Sequence, residues 1–142
     1  MRLTAAIIVL TAFTSSAQSH AIEWKTSCDD EAFSLPVDQQ SHPLVVNENQ
    51  IVISVHTKSV AGNKMGIFLD KTLDLGTGGM MLNWDNFSKT AKIADMTFKG
   101  REAVFRWYGF FDNVQQKRVW VAQPDFVETY AKNGQIKLIT CD

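Results

Sequence analysis

The two cysteines of the chain, Cys28 and Cys141, lie near opposite ends of a sequence of 142 residues. In an oxidising compartment such a pair predicts one disulfide, which would make the first and last strands neighbours in a sheet. Closing so long a loop stabilises a fold by about 4–5 kcal/mol in the chain-entropy model. Two free buried thiols are the alternative, whereas a redox site is disfavoured because the chain contains no Cys-x-x-Cys motif.

Residues 1–21 have the composition of a leader that is removed on export. It combines a positive charge at Arg2, an apolar run over residues 3–13 and a small-x-small cleavage motif that ends at Ala21. A second motif of this kind, slightly earlier, is an alternative cleavage site. The apolar run is shorter than the ~20 residues that span a bilayer. We therefore expect a single periplasmic domain, residues 22–142, with no membrane anchor.

The balance of charge argues against one class of partner. The chain has 15 acidic and 14 basic residues, so its formal net charge at pH 7 is −1. Domains that bind nucleic acid or anionic membranes show a basic excess as their electrostatic footprint. We therefore expect no nucleic-acid partner.

Short strand-like runs dominate the chain after the leader, because apolar and β-branched residues alternate with polar ones between turn residues. These runs cover residues 22–26, 50–57, 65–70, 79–84, 93–98, 102–111, 117–123 and 135–141. Residues 99–101 are predicted to form a hairpin turn between two of them.

Helical signals are few. Asp125 and Glu128 have the spacing of a capping box and Asn133-Gly134 is a stop signal, which predicts one helix of about two turns between them. Residues 85–94 form either a second short helix or a strand and loop. The predicted fold is mainly β: an antiparallel sheet, barrel-like or sandwich-like, with one or two short helices and one disulfide.

The sequence shows no catalytic or metal-binding motif. His42 and His56 are far apart, His56 is interpreted as an ordinary strand histidine, and a metal site needs three or four converging ligands. Residues 76–79 are glycine-rich but lack the residues of a phosphate-binding loop, so they are interpreted as a flexible loop. The acidic run of residues 29–31 is interpreted as a solvated face.

We therefore expect no enzyme, no metal and no cofactor. Paired carboxylates of the glycoside-hydrolase kind stay open as an alternative, because sequence alone does not show which acids meet in space.

The predicted strand over residues 102–111 carries aromatic residues on both faces, although a half-buried strand needs them on one. One hypothesis is a central strand that is buried on both sides, with the short helix covering the second face. The other is an exposed patch for a protein partner, since tryptophan, tyrosine and arginine are enriched in binding hot spots. The patch would comprise Arg106, Tyr108, Phe110 and Trp120.

Three features together resemble a known class of protein: the leader that ends "SSAQSHA", the pair Cys28 and Cys141, and the segment "FRWYGFFDN". The chain resembles periplasmic immunity proteins that protect bacteria against type VI secretion effectors, in particular lysozyme-like cell-wall hydrolases. It also looks like the periplasmic lysozyme inhibitors, which are small β-barrels, although their usual loop signature is absent.

The resemblance implies an inhibitor that blocks a secreted peptidoglycan hydrolase by placing a loop in its substrate groove. The candidate loops are residues 59–64, 76–79 and 112–116. Within them, the expected contact residues are Asn63, Lys64, Asp112, Asn113, Gln115 and Gln116. A non-catalytic binding or envelope-assembly module is the alternative function, and a homodimer is a further open expectation because pairing would cover an apolar face.

Overall fold

The computed structural model describes residues 20–141, so the predicted leader lies almost entirely outside the described residues. The strands are β1 Ile22–Lys25, β2 Ser34–Val37, β3 His42–Asn47, β4 Ile51–Ala61, β5 Lys64–Leu75, β6 Ala94–Lys99, β7 Glu102–Trp107, β8 Phe110–Asp112, β9 Lys117–Val119 and β10 Ile136–Thr140. Two short helices, α1 Thr77–Met80 and α2 Asp125–Tyr130, and a 3₁₀ turn, Trp84–Asn86, complete the described elements.

Eight of the strands form one antiparallel sheet in the order β2-β1-β10-β7-β6-β5-β4-β3, and β8 pairs with β9 as a separate hairpin. The large sheet curls into a nearly closed barrel, because its edge strands β2 and β3 approach each other without pairing. The predicted class, a mainly β antiparallel fold that is barrel-like with short helices and a disulfide, is confirmed.

The core lies inside the curled sheet. Side chains alternate between the two faces of each strand, and those on the inner face are mostly apolar. In β4 the inward residues include Ile53 and Val55, in β5 Ile67 and Leu69, and in β7 Phe105, all of them buried. The outward positions of the same strands carry mostly polar and charged side chains, with a few partly exposed apolar ones such as Phe68 and Val104. Strands were therefore predicted correctly where apolar and polar residues alternate over several positions.

The disulfide between Cys28 and Cys141 forms, with the two Cα atoms 5.7 Å apart. It ties the loop after β1 to the residue that follows β10. These two strands are neighbours in the sheet, and Trp24 lies opposite Thr140. Both the pairing of the cysteines and the adjacency of the first and last strands are confirmed.

Helix α2 covers the gap between the edge strands β2 and β3, which are not hydrogen-bonded to each other. Phe126 of α2 is 3% exposed and stacks on Phe33, with 4.7 Å between ring centroids. The capping box predicted for Asp125 does not form, since no side chain caps α2. Instead the Asp125 carboxylate accepts hydrogen bonds from Asn47 Nδ2 (2.9 Å) and the Glu48 backbone N–H (2.8 Å) at the end of β3.

We call this region the acidic seam, because Glu31, Glu48 and Asp125 line a groove of about 650 Å³ between β2, β3 and α2. Each free edge also contains a proline, Pro36 in β2 and Pro43 in β3. Proline has no backbone N–H, so each edge lacks one donor for a further strand.

One strand prediction was wrong. Residues 79–84 are not a strand but part of α1 and the loop after it, because backbone and side-chain oxygens of Gln50 accept hydrogen bonds from Gly76 (2.8 Å) and Gly78. Of the two alternatives for residues 85–94, the loop is observed: a 3₁₀ turn, Trp84–Asn86, is followed by a loop that leads to β6 at Ala94. Strands β2 and β3 were missed. The hairpin turn after β6 is confirmed, since Lys99 lies opposite Glu102.

Candidate functional site

The aromatic-rich segment is not one straight strand. Strand β7 ends at Trp107, the backbone turns at Gly109 with a φ of +88°, and β8 starts at Phe110. A Cβ atom at position 109 would lie 2.4 Å from the carbonyl oxygen of Val119, so only glycine fits here. The turn resets the alternation, and Trp107 and Phe110 therefore both point into the core although they are three positions apart.

This turn answers why aromatics occupy both faces of the segment, and it changes both hypotheses: the patch loses Phe110 but keeps Arg106 and Tyr108 at the surface. Phe110 is fully buried, with its ring 5.2 Å from Phe87 and 5.5 Å from Trp107, so its prediction as an exposed contact residue is wrong. A strand that is buried on both faces is wrong as well, since Arg106 is exposed.

Asp112 was predicted to face a partner, but its side chain is 3% exposed. Its carboxylate accepts hydrogen bonds from the backbone N–H groups of Val114 (2.8 Å) and Gln115 (2.9 Å) and from Gln115 Nε2 (3.1 Å). A partner therefore does not meet Asp112 directly. The residue instead fixes the conformation of the turn that follows it.

We call residues 113–116, which join β8 to β9, the hairpin tip. The Asn113 backbone N–H donates to the Asn86 carbonyl (2.8 Å), and Gln116 Nε2 donates to the Asn113 carbonyl (2.6 Å). All four residues of the tip are exposed. Val114, at 72%, has the largest exposed fraction among the valines of the described chain. The predicted contact residues Asn113, Gln115 and Gln116 therefore lie together in one exposed turn that internal hydrogen bonds hold.

A second surface lies on the outside of the sheet, next to this hairpin. Lys58 of β4 lies opposite Gly66 of β5. Gly66 in turn lies opposite Asp95 of β6, which faces Arg106 of β7. One row of outward residues therefore crosses four strands. With their neighbours they form what we call the cation–aromatic face: Lys58, Phe68, Lys92, Asp95, Arg106, Tyr108, Phe111 and Arg118.

Cations on this face lie over aromatic rings. Lys58 Nζ is 5.6 Å from the centre of the Phe68 ring, and Lys92 Nζ is 5.6 Å from that of Tyr108. The Arg118 guanidinium lies 5.8 Å from Tyr108 and 5.5 Å from the ring of Phe111. Such contacts contribute about 0.5–1 kcal/mol each at exposed sites, and they hold the long side chains in defined positions.

Asp95 is the acid at the centre of the face. Its carboxylate accepts hydrogen bonds from the Tyr108 hydroxyl (2.7 Å) and from Lys92 Nζ (3.0 Å). Partial burial, followed by this bond to Asp95, raises the pKa of Tyr108 above its usual value. Arg118 donates to the carbonyl oxygens of Lys92 and Gly109, so its guanidinium also ties the face to the hairpin.

The remaining predicted residues lie apart from the hairpin tip. Asn63 is in the exposed turn between β4 and β5, where its Nδ2 donates to the Phe98 carbonyl (2.6 Å). Lys64 starts β5 and extends the cation–aromatic face by one row, opposite Thr97. Trp120 is half-buried and packs on the core, and its carbonyl accepts a hydrogen bond from Trp107 Nε1 (2.7 Å). Its predicted role in a contact patch stays a prediction.

A polar cluster adjoins the face at the far end of Phe68, on which His56 stacks. His56 Nδ1 is hydrogen-bonded to Asp70, which also accepts a hydrogen bond from the Ser41 hydroxyl. Burial alone would raise the pKa of Asp70, but the hydrogen bonds from Ser41 and His56 outweigh it and lower the pKa below its usual value. His56 is a hydrogen-bonded strand histidine, as interpreted from the sequence.

A second histidine–aspartate pair joins the loop after β2 to His42, the first residue of β3. His42 Nε2 is 2.7 Å from Asp38 Oδ1. The hydrogen bond from the Gln40 backbone N–H, together with the one from His42, lowers the pKa of Asp38. In the described part of the chain, no three His, Cys, Asp or Glu residues form a group that could hold a metal ion. Within residues 20–141 no helix has the length and apolar composition of a membrane span.

Sequence reasoning missed most of the cation–aromatic face. Lys58, Phe68, Lys92 and Asp95 come from three strands and a loop, and they meet only through the register of the sheet. The alternation around Gly66 was an available signal, because Lys64, Phe68 and Asp70 share its outward parity.

Comparisons of the chain with models of known protein families, with curated proteins and with solved structures find no match. Function is therefore argued from the geometry of the hairpin tip and the cation–aromatic face.

Proposed function

We propose that the protein is a periplasmic inhibitor, of the immunity-protein kind, that binds a secreted lysozyme-like peptidoglycan hydrolase and blocks its substrate cleft. The observation that carries the proposal is the hairpin tip. Its four residues are exposed, and the buried Asp112 carboxylate holds their backbone with two hydrogen bonds. A tip that is rigid before binding loses little conformational entropy on entering a cleft.

The chemistry of the tip suits a cleft that contains catalytic carboxylates. Glycoside hydrolases use two such groups, about 5–9.5 Å apart, of which one is protonated and one ionised. The amide of Asn113 can donate to an ionised carboxylate and accept from a protonated one. Val114 beside it supplies apolar contact where the substrate sugar would lie. Inhibition in this proposal is steric, and no residue of the inhibitor takes part in a reaction.

Export is part of the same proposal. Residues 1–21 are proposed to act as a cleaved leader to the periplasm, where the substrate of such a hydrolase is found. The disulfide between Cys28 and Cys141 supports this location, because an oxidising compartment allows it to persist.

The test combines capture and titration. Residues 22–142 would be immobilised in the oxidised form and exposed to lysates of the producing organism and its competitors, and bound hydrolases would be assayed for loss of peptidoglycan cleavage. Val114→Asp should weaken inhibition by about thirtyfold or more, the loss typical of a hot-spot residue. Val45→Asp places the same charge at another exposed valine, on β3, and should leave inhibition unchanged.

Two results would overturn the proposal. The first is that no captured hydrolase loses activity on titration. The second is a loss of inhibition that is equal for Val114→Asp and Val45→Asp. Capture of envelope scaffolding proteins alone would favour the alternative function, a binding or assembly module of the envelope.

A further inference from the structure

The near-zero net charge of the chain conceals a separation of charge. Between residues 22 and 48 there are six acidic residues and one lysine, whereas between residues 86 and 118 there are seven basic and three acidic residues. The first segment forms β1, β2 and β3, and the second forms β6 to β9. The barrel therefore has an acidic side at the seam and a basic side at the cation–aromatic face.

The positive charge of the face is not neutralised within it. Four cations, namely Lys58, Lys92, Arg106 and Arg118, are accompanied by the single carboxylate of Asp95. Other acids near the face are engaged with their own partners: Asp70 with His56 at one end and, in the sheet register, Glu102 opposite Lys99 at the other. An excess of positive charge is therefore left for a molecule outside the chain.

The face is also organised in advance of binding. Gly66 lies at its centre, and a Cβ atom there would come 2.9 Å from Phe68 Cε2 and 3.0 Å from Lys92 Cδ. The absence of a side chain lets the Phe68 ring and the Lys92 stem lie flat across the sheet. Because the rings hold Lys58, Lys92 and Arg118 in place, a partner does not have to order these three side chains.

The shape of the face selects the kind of ligand. Small-molecule sites are concave, whereas this surface is the outside of a sheet and draws side chains from four adjacent strands. Strands are ~4.8 Å apart, so the row from Lys58 to Arg106 extends over about 14 Å. Tyrosine and arginine are also enriched at the centres of protein–protein interfaces.

We infer that the cation–aromatic face docks an acidic protein surface. Resting on the proposed function, the inference identifies that surface as the acidic rim of the hydrolase cleft that the hairpin tip enters. Arg118, which contacts both Tyr108 of the face and Phe111 of the hairpin, joins the two contact regions. Opposite charges on the two partners speed their encounter and suppress binding to basic proteins.

The first experiment needs no hydrolase. Binding of fluorescently labelled poly-L-glutamate to residues 22–142 would be measured by anisotropy at low ionic strength, where the Debye length is about 30 Å. Arg106→Glu and Lys58→Glu should each weaken binding about tenfold, because each reverses a charge near the surface. Lys132→Glu makes the same charge change beyond α2 and should have little effect. Circular dichroism would establish that all variants fold.

The second experiment uses sulfated dextran in place of poly-L-glutamate, to separate a protein surface from an anionic glycan. Tighter binding of poly-L-glutamate at equal charge supports the inference. Tighter binding of the dextran overturns it in favour of a glycan ligand. Equal losses for Arg106→Glu and Lys132→Glu, or no binding by the unmodified chain, also overturn it.

The outcomes separate the inference from the proposed function. If a hydrolase is inhibited but Arg106→Glu inhibits it as rapidly as the unmodified chain, only the inference fails. If Arg106→Glu loses poly-L-glutamate but no hydrolase is inhibited in any lysate, the proposed function fails together with the identification of the acidic surface as a cleft rim, whereas the docking of an acidic protein surface on the face stands.

Discussion

The acidic seam and the cation–aromatic face use charge in opposite ways. In the seam, the Asp125 carboxylate accepts internal hydrogen bonds from Asn47 and Glu48, and these bonds hold α2 across the gap in the barrel. On the face, Lys58 and Arg106 extend from the outside of strands that are already paired on both sides. Charge therefore maintains the fold in one region and is available to a partner in the other.

This difference shows why net charge is a poor guide to the partners of a small domain. The same formal charge of −1 would describe a chain whose charges alternate evenly. The difference between the two regions also predicts the effects of substitutions. Changes in the seam and its surroundings should lower the free energy of unfolding without altering which partner is bound. Changes on the face should alter partner binding with a smaller loss of stability. The expected effects below run from the largest to the smallest.

Removal of the disulfide should have the largest effect. Replacing Cys28 and Cys141 with serine opens a loop of 113 residues and should lower the free energy of unfolding by about 4–5 kcal/mol in the chain-entropy model. Urea denaturation of the variant and of the reduced unmodified chain would measure it, and the two should agree. A loss below about 1 kcal/mol would mean that β1 and β10 need no covalent link.

Phe126→Ala should lower the free energy of unfolding by about 3–4 kcal/mol, because the ring is buried between Phe33 and Trp107 under the seam. Phe111→Ala is the matched change on the face, where the ring is half-exposed, and should cost about 1 kcal/mol. Thermal denaturation would compare the two. Equal losses would contradict the distinction between seam and face.

Gly109→Ala tests the turn that separates β7 from β8, and with it the link between the face and the hairpin tip. We expect a loss of about 2–4 kcal/mol from backbone strain and from the contact with the Val119 carbonyl. Gly134→Ala is the control, because Gly134 has a φ of +73° but no atom near the new Cβ. That variant should lose only about 1 kcal/mol, so similar losses would exclude the steric explanation.

Exchanging one carboxylate in each region sharpens the comparison. Asp125→Asn removes acceptors from two hydrogen bonds in the seam and should cost about 1–2 kcal/mol of stability with no change in poly-L-glutamate binding. Asp95→Asn removes the central negative charge of the face and should tighten that binding by a few-fold. A weaker complex for Asp95→Asn would show that Asp95 positions Lys92 rather than opposing the ligand.

The smallest effect concerns pH. In the folded chain the pKa values of Asp38 and Asp70 are lowered. Both carboxylates therefore stabilise the folded chain at pH values above their unfolded-state pKa of about 3.9. This contribution to stability is lost as the pH falls through the folded-state pKa. Denaturation curves between pH 6 and pH 3 should show the loss. In Asp70→Asn the free energy of unfolding should change less over this pH range, with a difference from the unmodified chain of less than about 1 kcal/mol. An unchanged pH dependence would contradict the prediction.

The sequence predicted the parts of the fold that depend on local patterns. Strand β4 was found because isoleucine and valine recur over many positions. Strands β2 and β3 were missed because they are short and each contains a proline, Pro36 or Pro43, that weakens the local pattern. They exist because their neighbours β1 and β4 pair with them.

The site depended more on distant contacts, so less of it was predictable. The place of Asn113, Gln115 and Gln116 in one exposed turn was predictable, because a polar turn between two strands is visible locally. Phe110 was misplaced because alternation assumes a straight strand, and the turn at Gly109 depends on the Val119 carbonyl across the hairpin. The carboxylate of Asp125 had the spacing of a cap, but Asn47, 78 positions away, uses it instead.

The two prolines at the open edges have a consequence for the solution behaviour of the protein. A nearly closed barrel leaves two strand edges on which a second molecule could add strands and start an ordered aggregate. Pro36 and Pro43 lie in the two edge strands, and a proline has no backbone N–H to offer to an added strand. Edge protection of this kind allows a domain to keep its gap, and the helix across it, as a permanent feature.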